Sequence, residues 1–273
     1  KEDFSKEGFP TNIQYGVITV STKIEIFALK GLPEFVENDD LIDPIIASAN
    51  ECAGGVSEGD IVVVTQKIVS KVEGMVIKLA SVTPSKQALT LSRTTGKDPR
   101  LVELILGESK NIIRLDSDRG IIITETHHGF ICANAGIDSS NIPGEENVCL
   151  LPSEPNKSAR HIRDAIIESA KVKHVAVIIS DTFGRPWREG HLNFAIGTAG
   201  IKPLHDYRDT IDAVGKIMRV TMTATVDIVA AAADLVSGKA TNTPVSIVRG
   251  LNYESSEQGM EDLLRAAEKD MFR

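Results

Sequence analysis

The chain has 273 residues, a formal net charge of −8 and 25% charged side chains. That length buries a full core as one large domain or two small ones, and the acidic excess argues against nonspecific binding to nucleic acid or anionic membranes. An anionic substrate would have to be met by lysines and arginines concentrated locally.

Residues 1–12 (KEDFSKEGFPTN) read as a polar arm without the apolar centre of a signal peptide. Residues 13–22 and 24–29 are rich in β-branched side chains and predict two strands. A turn follows at Lys30-Gly31-Leu32-Pro33. Leu41, Ile42, Ile45, Ile46 and Ala49 then recur at helical spacing, with Pro44 suited to the first turn. Glu58-Gly59-Asp60 introduces a strand over 61–65. Lys67 and Lys71 come just after it, where they can face an anion or simply be solvated.

Residues 84–95 and 98–108 predict two short helices, the second opened by Asp98-Pro99 as cap and first-turn pair. Three strands are expected at 111–115, 121–126 and 130–133. The hairpin turns between them are Asp118-Arg119-Gly120 and His127-His128-Gly129, whose histidines are read as exposed rather than metal-binding. In the bend after the third strand, Asp138 and Asn141 are either turn-capping groups or ligands. Residues 142–155, with three prolines, predict a linker, and 157–171 a helix with Ala159, Ile162, Ile166 and Ala170 on one stripe.

Residues 175–179 (VAVII) read as a strand buried on both faces. It exits into Ser180-Asp181-Thr182 and a loop punctuated by Gly184 and Pro186, carrying Arg185, Arg188 and the only tryptophan, Trp187. Carboxylate and hydroxyl oxygens suit hard cations, and guanidinium forks suit phosphate or carboxylate. Strands are expected over 192–201 and 217–226, a small-residue helix over 227–236 and a polar loop over 237–243. A strand over 245–248 and a C-terminal helix within 254–273 complete the prediction. Strands that outnumber helices without simple alternation favour an α+β fold. Cys52, Cys132 and Cys149 are spaced like neither a zinc site nor a disulfide framework and fit a reducing cytoplasm. No Walker loop, dinucleotide fingerprint or nucleophile elbow is present.

Five segments occur in order: KGLP (30–33), EGDIVVVTQKIVSKVEG (58–74), NAGIDSSN (134–141), SDTFGRPWREG (180–190) and IVRGL (247–251). Together they resemble the coenzyme F420-0:γ-glutamyl ligase family, over roughly residues 22–252. The resemblance implies a GTP-dependent ligase that joins L-glutamate by an amide bond to the carboxylate of a deazaflavin precursor, coenzyme F420-0, through an acyl phosphate. It also implies magnesium or manganese with potassium as a helper ion, and a two-lobed mixed-sheet α+β fold spanning 13–253 in an intertwined homodimer.

Residue by residue, the resemblance puts Asp138 and Asp181 at the metal and Thr182 at a second ion. Leu32, Pro33, Glu34, Phe35, Thr65, Gln66, Lys71 and Asn141 fall at the nucleotide, as does the loop Ser237, Gly238, Lys239, Ala240, Thr241, Asn242 and Thr243. Arg185 and Arg188, with Lys71, are the candidates for remaining phosphate and carboxylate charge. Two departures stand out. Lys239 lies at or next to a place where some relatives carry a metal-binding glutamate, and Asn193 stands where several have aspartate. The alternatives to a ligase are a metal-dependent phosphohydrolase using the same aspartates and a non-catalytic nucleotide-binding protein.

Overall fold

The computed structural model describes residues 23–140, 142, 144, 146–238 and 241–271. The expected polar arm and the strand over 13–22 lie outside the described residues.

In chain order the elements are β1 (Glu25–Leu29), α1 (Ile42–Ala53), β2 (Ile61–Thr65), α2 (Gln66–Val72), β3 (Val76–Lys78), α3 (Lys86–Thr95), α4 (Pro99–Gly107), β4 (Ser109–Asp116), β5 (Ile121–Thr126) and β6 (Ile131–Ala133). They continue with β7 (Asn147–Cys149), α5 (Pro155–Ala170), β8 (Ala176–Arg185), β9 (Arg188–Ala199), β10 (Leu204–Asp206), β11 (Met222–Ala224), α6 (Thr225–Ser237) and β12 (Val245–Arg249). The result is a mixed α+β structure.

The principal sheet has the order β1-β12-β2-β8-β9, and within it only β2 and β8 run parallel. Its strands alternate buried side chains between two cores. Val62, Val64, Val177 and Ile179 join Ile45 and Ala49 of α1 and Ile162 and Ile166 of α5 on one face. Ile61, Val63, Ala176 and Ile178 meet Val226, Val229, Ala230 and Ala233 of α6 on the other. Two-sided burial is why β2 and β8 are continuous apolar runs. Small residues let the layers approach closely: a Cβ on Gly197 of β9 would lie 2.5 Å from the Pro155 carbonyl at the start of α5. A second sheet, β4-β5-β6, packs Ile122 against Ala88 of α3 and Val102 and Ile105 of α4. The Asp98 cap forms as expected, its side chain accepting from the Arg100 amide at 2.8 Å.

Four expectations are corrected. Residues 180–190 are not a loop: β8 and β9 pair from Val177–Ala199 out to Arg185–Arg188, and Trp187 turns the hairpin at φ +63°. Cross-strand pairing overrides the local signal of Gly184, while Pro186 keeps its place in the two-residue turn with Trp187. The 142–155 linker contains β7, which finds a partner in β3. The strand over 217–226 shrinks to β11, because much of that segment has nothing to pack on, with Val220 87% exposed. The C-terminal helix is replaced by two short 3-10 turns, Met260–Leu263 and Ala267–Lys269. Met260 belongs to the core on the α6 side of the sheet, while Leu264 packs against the opposite core. A continuous helix would hold both on one face.

Candidate active site

The parallel pair β2–β8 sets Thr65 directly opposite Ser180, so β2 ends beside the middle of β8, which runs on to Arg185. β1 also ends there, since Leu29 pairs with Val245 at the start of β12, and the Thr65 amide donates to the Pro244 carbonyl at 2.9 Å. Strand ends pointing into one crevice are where α/β sheets place ligands. Here they open on a cleft of ≈ 1110 Å³. Segments following β1 and β2, with the outer half of β8 (Ser180 to Gly184), contribute one wall. The bend after β6 (Gly136, Ile137, Asp138, Ser140) and the loop before β12 close the others.

The expected site residues divide as follows. Pro33, Glu34, Phe35, Thr65, Gln66, Lys71, Asp138, Asp181, Thr182, Ser237, Gly238, Asn242 and Thr243 all line this cleft. Leu32 does not; it is buried in the core beneath. Thr241 also does not, because its hydroxyl donates to the Ser237 carbonyl. Arg185 and Arg188 are not among the lining residues either. They sit at the end of the β8–β9 hairpin, where Arg185 donates to the Glu189 carbonyl at 2.6 Å, while Gly184 and His191 reach the cleft. Asn141, Lys239 and Ala240 lie outside the described residues.

Electrostatics concentrate cations against carboxylates along α2. Lys71, only 7% exposed, pairs with Glu34 across the cleft. One helical turn earlier, the Lys67 ammonium lies 2.7 Å from Asp138 Oδ2 and donates to the Ser140 carbonyl at 2.8 Å. Asp138 Oδ1 accepts from the Ser140 amide at 2.7 Å, and Oδ2 from the Ser140 hydroxyl at 3.1 Å. Burial acts to raise the Asp138 pKa, but Lys67 and the Ser140 donors outweigh it and hold the carboxyl below its ordinary value. Asp181 is close enough to Cys132 of β6 that, after burial, its negative charge helps push that thiol up to about 12.

The donor set is all oxygen, which suits a hard divalent cation. Thr182 gives its hydroxyl proton to Asn193 Oδ1 at 2.7 Å, so toward any other group its oxygen acts as an acceptor. Ser180 Oγ, buried in the same wall, has no hydrogen-bond partner. Among the described residues, no three carboxylate, imidazole or thiol side chains gather into a ready-made metal cage. Ions at this cleft would therefore draw on Thr182, water and a bound phosphate as well as the aspartates.

Sequence reasoning did not single out Ser140, Ser180, His191 or Asp234, which also line the cleft. It noted Lys67 only as one of two lysines near an anion. The usable signal was its position four residues before Lys71, one helical turn away on the same face.

Fold and site define a mixed-sheet α+β protein whose oxygen- and lysine-lined cleft opens at converging strand ends. The chain belongs to the F420-0:Gamma-glutamyl ligase family, whose sequence pattern matches residues 31–250. It is 44% identical over 253 residues to the coenzyme F420:L-glutamate ligase of Methanothermobacter thermautotrophicus, covering 92% of this chain and 99% of that protein. The same-named proteins of Methanocaldococcus jannaschii (39% identical over 259 residues, 94% and 100% covered) and Haloarcula marismortui (37% over 257, 92% and 96%) are also similar.

Proposed function

We propose that this chain joins L-glutamate to the carboxylate of coenzyme F420-0 by an amide bond, with GTP converted to GDP and phosphate. The observation that carries the reading is this cleft. It brings Asp138, Asp181, Thr182, Lys67 and Lys71 together at the strand ends, in a chain of this family.

A carboxylate is a poor electrophile. The γ-phosphoryl group of GTP first passes to an acceptor carboxylate oxygen, giving an acyl phosphate and GDP. The glutamate amine then attacks the acyl carbon, loses a proton and expels phosphate. Such transfer depends mainly on positioning and on neutralising charge. Residues 33–35, Thr65, Gln66 and the loop at 237–243 would hold the nucleotide. Lys71, already tied to Glu34, would exchange that carboxylate for a phosphate oxygen. Asp138, Asp181 and Thr182 would hold magnesium or manganese, which supplies charge neutralisation of phosphate oxygens when bound; potassium is the helper ion of the proposal. Arg185 and Arg188 are candidates for charge at the outer end of the hairpin rather than at the cleft wall.

The proposal includes a homodimer with two intertwined lobes. Supporting it, the segment between β10 and β11 and the β8–β9 tip expose Val214, Val220 and Trp187, large apolar groups that a second chain would cover. No helix among the described residues is long and apolar enough to cross a membrane. Cys52, Cys132 and Cys149 are free thiols, in keeping with the cytoplasmic location proposed.

The test is one assay of phosphate release and product mass with GTP, magnesium, L-glutamate and coenzyme F420-0. Release that requires both glutamate and the acceptor supports the ligase. Release without either indicates a phosphohydrolase, and nucleotide binding with no release indicates a binding protein.

A further inference from the structure

Asp138 does not present an open carboxylate to the cleft. Its Oδ2 atom is engaged twice, by the Lys67 ammonium at 2.7 Å and the Ser140 hydroxyl at 3.1 Å, and its Oδ1 accepts the Ser140 amide at 2.7 Å. A carboxylate offers about four lone-pair directions, so three are occupied and the last lies on Oδ1. Lys67 is itself anchored, donating to the Ser140 carbonyl at 2.8 Å, and its side chain is only 21% exposed. A divalent ion on the remaining Oδ1 direction would share one small carboxylate with a partly buried ammonium, and like charges at that separation repel strongly.

We propose that Lys67 is an internal competitor for the divalent cation at Asp138. The Lys67 ammonium neutralises the carboxylate and pins the bend at 138–140 to α2. A cation taking Asp138 displaces the ammonium from Oδ2, and the freed lysine swings into the cleft that both residues line. Lys67 is thus a positioning residue that acts through Asp138. The proposal rests on the cation site assigned above to Asp138.

The competition has a signature that a merely structural clamp lacks. Removing the ammonium should tighten cation binding, whereas removing a clamp should loosen it. Mn²⁺ alone, without nucleotide, is titrated into wild type, Lys67→Met, Lys67→Arg and Asp138→Asn, and free Mn²⁺ is read by electron paramagnetic resonance. Lys67→Met is expected to bind roughly tenfold more tightly, a difference of about 1.4 kcal/mol. Lys67→Arg, which keeps the charge, should stay near wild type, and Asp138→Asn should bind most weakly. Lys67→Gln provides the same comparison should the methionine variant not fold, and far-ultraviolet circular dichroism checks each protein. If Asp138→Asn loses Mn²⁺ while Lys67→Met is unchanged or weaker, the competition is overturned and the cation site stands. If Asp138→Asn binds as wild type does, or no protein binds Mn²⁺, the cation site and the competition fall together.

Discussion

Arg249, at the end of β12, lays its guanidinium along the fully buried carboxylate of Asp60, 189 residues earlier in the chain: Nε is 2.9 Å from Oδ1 and Nη2 2.8 Å from Oδ2. The same side chain donates to the Ala53 and Gly55 carbonyls and stacks over Phe27. It therefore ties the end of α1, the entry to β2, and β1 at the edge of the principal sheet. Arg249→Met removes the charge that compensates Asp60 and strands two carbonyls. It is expected to cost about 3 kcal/mol, the low end for breaking a buried pair because the arginine is partly exposed. Urea unfolding at neutral pH measures this.

Asp227, in the first turn of α6, accepts the Ala195 amide at 3.0 Å. Burial raises its pKa, and that hydrogen bond only partly opposes it. The folded state therefore binds this proton more tightly than the unfolded chain. Stability from this group falls as pH rises from the ordinary carboxylate value through the raised one, and the penalty is complete above that. Asp227→Asn keeps an oxygen acceptor without the charge. It should match or exceed wild-type stability at pH 7 and lose any advantage in acid, which melting temperatures across pH 3–7 would reveal.

Asp138→Asn and Asp181→Asn should each lower turnover about a hundredfold or more, roughly 3 kcal/mol of transition-state stabilisation, while leaving the circular dichroism spectrum intact. Near-normal rates in either variant at ordinary magnesium concentration would overturn the shared-site assignment.

Light scattering at micromolar concentration should give a mass about twice the 29.5 kDa of one chain. Val220→Asp, placing a charge on an 87% exposed apolar position, should shift the population toward monomer if the β10–β11 segment is covered in the dimer. A stable wild-type monomer would defeat the assembly proposal.

What the sequence determined by itself were the features written in local pattern. The apolar run at 175–179 announced two-sided burial, Asp98-Pro99 announced a helix start, and the hairpins of β4, β5 and β6 carried their own turns. Ordered motifs named the family, and the resemblance pointed to Asp138, Asp181 and Thr182, which line the cleft. Only the tertiary structure decided what depends on contacts between distant segments. Gly184 looks like loop until β9 pairs across it, which leaves only Pro186 and Trp187 as the turn. Met260 and Leu264 keep helical spacing, yet they serve opposite faces of the sheet, so no helix forms. The same holds at the site. Lys67 and Asp138 are 71 positions apart, and no spacing rule could place an ammonium 2.7 Å from that carboxylate. It took the parallel register of β2 and β8, set by two cores packing on one sheet, to bring those strand ends to a single cleft.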